Sequence, residues 1–151
     1  HKARAMEIIK NQSDLKDNYT SEDSTSIPFY GTIPAGIPTE AINSEIGQIT
    51  LPNSMISTNH QYFGLTVKGE SMIEAGIMDG DTAIIQHKKL VNSGRIAAVL
   101  IKGEDVTLKK IKFNQSKILL IPANSSFEEK SYNASDIEIQ GELKGIIRKY
   151  N

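Results

Sequence analysis

Ser71 and Lys109 are the two side chains of this 151-residue chain whose types and settings best suit covalent chemistry. Ser71 follows an apolar run over 62–67 that reads as a strand, and Gly69 stops that strand. A short helical turn over 71–75 comes next, closed by Gly76, and Asp79-Gly80 makes a second tight turn before another strand over 82–86. A serine so placed projects its hydroxyl from a strand end. The unpaired N–H groups at the start of the turn can face a developing oxyanion. Lys109 belongs to Val106-Thr107-Leu108-Lys109-Lys110-Ile111, which alternates as a strand. Val106, Leu108 and Lys110 share one face; Thr107, Lys109 and Ile111 share the other. An amine on the face of Ile111 can lie inside a sheet fold, where desolvation lowers its pKa from about 10.4. A neutral lysine can take a serine proton, the Ser-Lys form of acyl-transfer chemistry. Taken alone, Ser71 reads as a helix N-cap and Lys109 and Lys110 as solvated strand lysines.

Other chemistries have less behind them. There is no cysteine, so no thiolate nucleophile, disulfide framework or zinc-thiolate site. His1, His60 and His87 lack ligand-like spacing, and no phosphate-binding or dinucleotide glycine motif occurs. Asp79 and Asp81 fit a turn better than a catalytic carboxylate pair. The net charge of −1 gives no bulk attraction to nucleic acid, and no apolar run is long enough for a transmembrane helix.

The elements that must position the pair are strands. Branched apolar runs recur over 46–51, 62–67, 82–86, 95–101, 106–111, 117–121 and 137–150, with turn clusters between them and helical turns only over 52–59 and 71–75. This predicts an all-β fold: a compact sandwich or partly open barrel with short helical turns, preceded by a flexible arm. Residues 11–26 are Ser/Asp/Glu/Asn-rich and read as a linker, and 27–45 as a Pro/Gly-rich arm in which Pro28, Pro34 and Pro38 keep their predecessors extended. An extended arm with small residues at Ala35-Gly36 is a form in which a peptide is laid against a sheet edge. Residues 46–151 form the domain proper.

The stretch Gly31-Thr32-Ile33-Pro34-Ala35-Gly36, the Gly69-Glu70-Ser71-Met72 motif running into Gly76-Ile77-Met78-Asp79-Gly80-Asp81, and Val106-Thr107-Leu108-Lys109-Lys110 occur in one order. Leu120-Ile121-Pro122-Ala123-Asn124-Ser125 follows, then Ile139-Gln140-Gly141 and Gly145-Ile146-Ile147-Arg148. In these features the sequence resembles the LexA family of self-cleaving repressors, with their UmuD and phage-repressor relatives. The resemblance implies Ser71 as nucleophile, Lys109 as general base, the backbone N–H groups of Glu70 and Ser71 as oxyanion donors, and Ala35-Gly36 of the same chain as the scissile bond. It implies no cofactor and no metal. It also implies a homodimer formed through the C-terminal domain, a RecA filament on single-stranded DNA as activator, and a bacterial cytoplasmic setting without membrane attachment. Operator DNA would be bound only through a winged-helix N-terminal domain missing here, with residues 1–10 as its tail. Pro34, where many relatives carry a small non-proline residue, and a longer 102–105 loop depart from the family pattern.

Three functions follow as expectations. The first is a repressor's autopeptidase and dimerisation domain. The second is a UmuD-like accessory subunit of a translesion polymerase, separated from the first by the upstream coding sequence. The third is a non-catalytic β dimerisation domain, which Ser71→Ala would leave unchanged.

Overall fold

A computed structural model describes residues 23–32, 46–103 and 106–151. The expected tail over 1–10, most of the linker, Pro34 and the Ala35-Gly36 bond lie outside the described residues, as do positions 104 and 105 of the 102–105 loop. The described chain is all-β. Its strands are β1 (Ser24–Phe29), β2 (Gly47–Pro52), β3 (Tyr62–Thr66), β4 (Thr82–His87), β5 (Ile96–Ile101), β6 (Thr107–Asn114), β7 (Lys117–Ile121), β8 (Lys130–Asn133) and β9 (Ile137–Ile147). They form one open nine-stranded sheet in the order β2-β1-β3-β4-β9-β5-β6-β7-β8. Neighbours are antiparallel except β1 and β3, which meet in parallel where Phe29 faces Gly64.

The strands read as short continuous apolar runs because the middle of the sheet is covered on both faces. On β4, Ala83 and Ile85 join one cluster while Ile84, of opposite parity, joins another. On β5, Ala98 goes with Phe63, Leu65, Met72 and Leu108, whereas Ala97 and Val99 go with Ile111, Ile118 and Leu120. One face therefore carries a cluster beneath the Ser71 region. The other carries two clusters, towards the two ends of the sheet. Ladder irregularities at Ile84/Ile85 and Ala98/Val99, both against β9, let the long last strand bend through the middle of the sheet. Gly141 sits in that bend, where an added Cβ would collide with the backbone carbonyl of Gln86.

Two strands differ from expectation. Residues 24–26 read as linker, yet they pair with β2, Ser24 opposite Pro52 and Ser26 opposite Thr50. The burial of Ile27, only 3% exposed beside Leu51, holds this otherwise polar strand in place. β8 went unpredicted because it is an edge strand paired only to β7, and its four residues carry no apolar alternation. Among the described residues, helical content is limited to single 3-10 turns, such as Asn53–Met55 and Ile73–Ala75.

Candidate active site

The end of β3 and the turn after it set the position of Ser71. Val67 donates its N–H to the Asp81 carbonyl at 2.8 Å and accepts the Gly80 N–H at 2.9 Å, which ties the two ends of the 67–81 stretch together. Gly69 adopts φ +83°, a left-handed conformation that costs glycine nothing. Its N–H donates to the Asp79 carboxylate at 2.7 Å. Beyond Ser71, the Met72 side chain is buried at 3% exposure in the core, and its sulfur accepts the Ala123 N–H at 3.3 Å. The 3-10 turn Ile73–Ala75 follows, ended by Gly76 at φ +79°. Ser71 is thus held between a carboxylate-anchored glycine and a core methionine.

The turn answers the N-cap alternative for Ser71. Met72 takes the capping position, without a side-chain cap, and the Ser71 hydroxyl meets Lys109 instead. β6 brings that lysine across through its pairing with β5, where Lys109 faces Ala97. Lys109 Nζ lies 2.9 Å from Ser71 Oγ, 2.8 Å from Thr107 Oγ1 and 3.1 Å from the Leu108 carbonyl oxygen. The strand face expected for Lys109 holds: Thr107 is two residues away on the same side, and Ile111 is buried in the cluster of that side. Lys110 is exposed. Burial, and secondarily the positive charge of Lys130, holds the Lys109 amine below the ordinary lysine pKa.

Two depressions meet at this pair. Thr32, Leu65 and Val67 line one; Leu120, Phe127 and Tyr132 line the other; Ser71 and Thr107 belong to both. Of the arm, Gly31 and Thr32 line the first depression. Tyr30 donates to the Gly64 carbonyl at 3.1 Å and Thr66 to the Gly31 carbonyl at 2.8 Å, so residues 30–31 run parallel to β3. The N–H groups of Glu70 and Ser71 donate to no other described residue.

Asp79 and Asp81 are not a carboxylate pair. Asp79 holds Gly69, whereas Asp81 is buried at 2% exposure and bridges the Met78 N–H and the Arg148 guanidinium, at 2.8 and 2.6 Å. The hydrogen bond from Arg148 depresses the Asp81 pKa, against a contrary push from burial. Asn124 went unnoticed as a site residue, although Nδ2 donates to the Glu70 carbonyl at 2.8 Å. Thr107 was singled out only as a neighbour on the strand face. Its i, i+2 spacing from Lys109 was the one sequence signal for contact, and Asn124 had none, since it lies 54 positions from Glu70.

A serine hydroxyl at the end of a strand lies against a half-buried amine in a chain of mainly β fold. Residues 28–144 match the peptidase S24-like family. The LexA repressor of Pelagibacter ubique is 36% identical over 168 aligned residues, covering 99% of this chain and 74% of that protein. The LexA repressor of Gluconobacter oxydans is 43% identical over 127 residues, covering 84% and 53%. That of Bartonella quintana is 42% identical over 145 residues, covering 95% and 60%. The chain belongs to this LexA-type, peptidase S24-like family, and spans between 53% and 74% of the length of these three relatives.

Proposed function

We propose that this chain is the self-cleaving part of a LexA-type transcriptional repressor, with Ser71 as nucleophile and Lys109 as general base acting on the Ala35–Gly36 bond. The observation that carries the proposal is the 2.9 Å approach of Lys109 Nζ to Ser71 Oγ. The amine there is depressed in pKa by burial. A neutral amine has two N–H donors and one lone pair. The Thr107 hydroxyl and the Leu108 carbonyl occupy the two donors, which leaves the lone pair for the Ser71 O–H.

The reaction then runs as an acyl transfer. Lys109 takes the Ser71 proton as Oγ bonds to the Ala35 carbonyl carbon. The N–H groups of Glu70 and Ser71 hold the oxyanion. Collapse breaks the C–N bond, and the Lys109 ammonium returns its proton to the departing Gly36 amine. Water, deprotonated by Lys109, hydrolyses the ester, leaving an Ala35 carboxylate and restoring Ser71. The arm's direction supports the choice of bond. Phe29 faces Gly64 in the parallel pairing of β1 with β3, and a substrate segment keeping that offset would bring position 35 level with Glu70. Tethering replaces tight substrate binding with effective concentration.

Cleavage is switched by whether the arm is docked. The activator is a RecA filament on single-stranded DNA, and the outcome is release of DNA-damage genes from repression. The full repressor binds its operator through an N-terminal domain and dimerises through this one. The test is mass spectrometry of the chain after alkaline incubation. The proposal expects two fragments, one ending at Ala35, and none from Ser71→Ala. An intact parent chain, or equal fragments from the variant, would overturn it.

A further inference from the structure

We propose that Asn124 is a positioning residue for the peptide joining Glu70 to Ser71, holding the Ser71 N–H ready for the oxyanion. The inference rests on the acyl-transfer reading above and adds a residue to it. Asn124 is 9% exposed, in the segment that follows β7. Its Nδ2 donates to the Glu70 carbonyl at 2.8 Å, and its Oδ1 accepts the Ser126 N–H at 2.9 Å. A carbonyl only accepts and a backbone N–H only donates, so one orientation of the amide satisfies both partners.

The Glu70 carbonyl and the Ser71 N–H belong to a single peptide unit, and no peptide bond among the described residues is cis. In a trans peptide the two groups point in opposite directions. Fixing the carbonyl on Asn124 therefore turns the N–H away from the 122–124 segment, where no described residue accepts it. The Ile73 N–H also reaches the Glu70 carbonyl, but at 3.3 Å, a weaker restraint than the asparagine.

The segment carrying Asn124 is itself clamped to the nucleophile turn. Glu74 donates its N–H to the Ala123 carbonyl at 2.8 Å, and the Glu74 carboxylate accepts the Ser125 N–H at 2.6 Å. Asn124 is thus seated on the same turn it orients. No hydrogen bond joins its side chain to Ser71 Oγ or Lys109, so it acts on the oxyanion side of the reaction.

The experiment compares alkaline self-cleavage of the parent chain, Asn124→Asp and Asn124→Ala, each held well below its own melting temperature. Asn124→Asp keeps the acceptor for Ser126 and replaces the donor to Glu70 with a second acceptor. Deleting an oxyanion donor outright costs about a hundredfold to a thousandfold in rate, so a donor left in place but misdirected costs about tenfold to a hundredfold. Both variants are expected to lose that much in limiting rate, and in Asn124→Ala, which adds no charge near Lys109, the pH midpoint of the rise stays unchanged. A variant Asn124→Asp that cleaves within about threefold of the parent overturns the inference, as does a loss in Asn124→Ala accompanied by a displaced midpoint. A parent chain that never cleaves removes the acyl-transfer reading itself, a different result from a cleaving parent matched by its variant.

Discussion

Replacing Lys109 with arginine separates charge from basicity at the site. The parent amine sits 2.9 Å from Ser71 Oγ, and burial followed by the nearby Lys130 charge lowers its pKa from 10.5. With the pKa of free lysine, only about one amine in a thousand would be neutral at pH 7.4. Each unit of lowering raises that fraction about tenfold, so burial makes the base available at a lower pH than a free lysine would be. Below the folded pKa, the parent's self-cleavage rate is therefore expected to climb about tenfold per pH unit, then flatten above it. Arginine keeps the positive charge and much of the side-chain length, but its guanidinium does not deprotonate in this range. Lys109→Arg should lose at least about a hundredfold at every pH and show no rise. The assay is a time course of fragment formation between neutral and strongly alkaline pH, resolved by mass. A Lys109→Arg chain that keeps the parent's slope would refute the assignment of the base, whatever its absolute rate.

Further expectations concern stability and the turn. Lys109 binds its proton less well folded than unfolded, so it penalises the folded state at neutral pH. The penalty fades as pH rises through the folded pKa towards 10.5. Urea midpoints should show the parent gaining stability over that window, with the gain missing from Lys109→Met. Asp81 has the opposite sign: its depressed pKa gives stability that is present above 3.8 and lost as pH falls through the folded value. Asp81→Asn should therefore cost about 2 kcal/mol at neutral pH, the usual loss being discounted for the partial exposure of Arg148, and no more than a few tenths in strong acid. Melting curves at both pH values check it. Gly69→Ala puts no Cβ in contact with anything within 4 Å, so its cost is the left-handed backbone alone, about 1 kcal/mol by chemical denaturation. Gly141→Ala, by contrast, forces apart β9 and β4 at Gln86 and should cost more than Gly69→Ala in the same assay.

Most of the strand pattern was legible because branched apolar runs make strands wherever they fall, and seven of the nine strands carry such runs. The pairing of Ser71 with Lys109 was reachable for a related reason. Strand parity put Lys109 on the face of Ile111, and Gly69 ended the strand just before Ser71. What stayed hidden depends on partners distant in sequence. β1 is a strand because Ile27 finds a pocket beside Leu51 and Ile84, and β8 because β7 offers it an edge; neither neighbour is implied by Ser-Thr-Ser or by Lys-Ser-Tyr-Asn. The two side-chain anchors of the nucleophile turn were hidden in the same way. Asp79 looked like an ordinary turn residue and Asn124 like a loop residue, yet each meets a backbone group next to Ser71 only after the sheet is assembled. Of the extended arm expected over 27–45, only residues 27–32 are described. The parallel alignment of Tyr30 and Gly31 with β3 rests on backbone groups of Gly64 and Thr66, which periodicity does not display.

The state of one amine bears most directly on all of this. Nuclear magnetic resonance of side-chain-labelled lysines in the Ser71→Ala chain, which stays whole during titration, would follow the Lys109 Cε signal with pH. A midpoint clearly below 10.5 agrees with a buried base ready to accept the serine proton. A midpoint at or above that value would mean that the amine stays charged beside Ser71, and the proposed chemistry would be wrong.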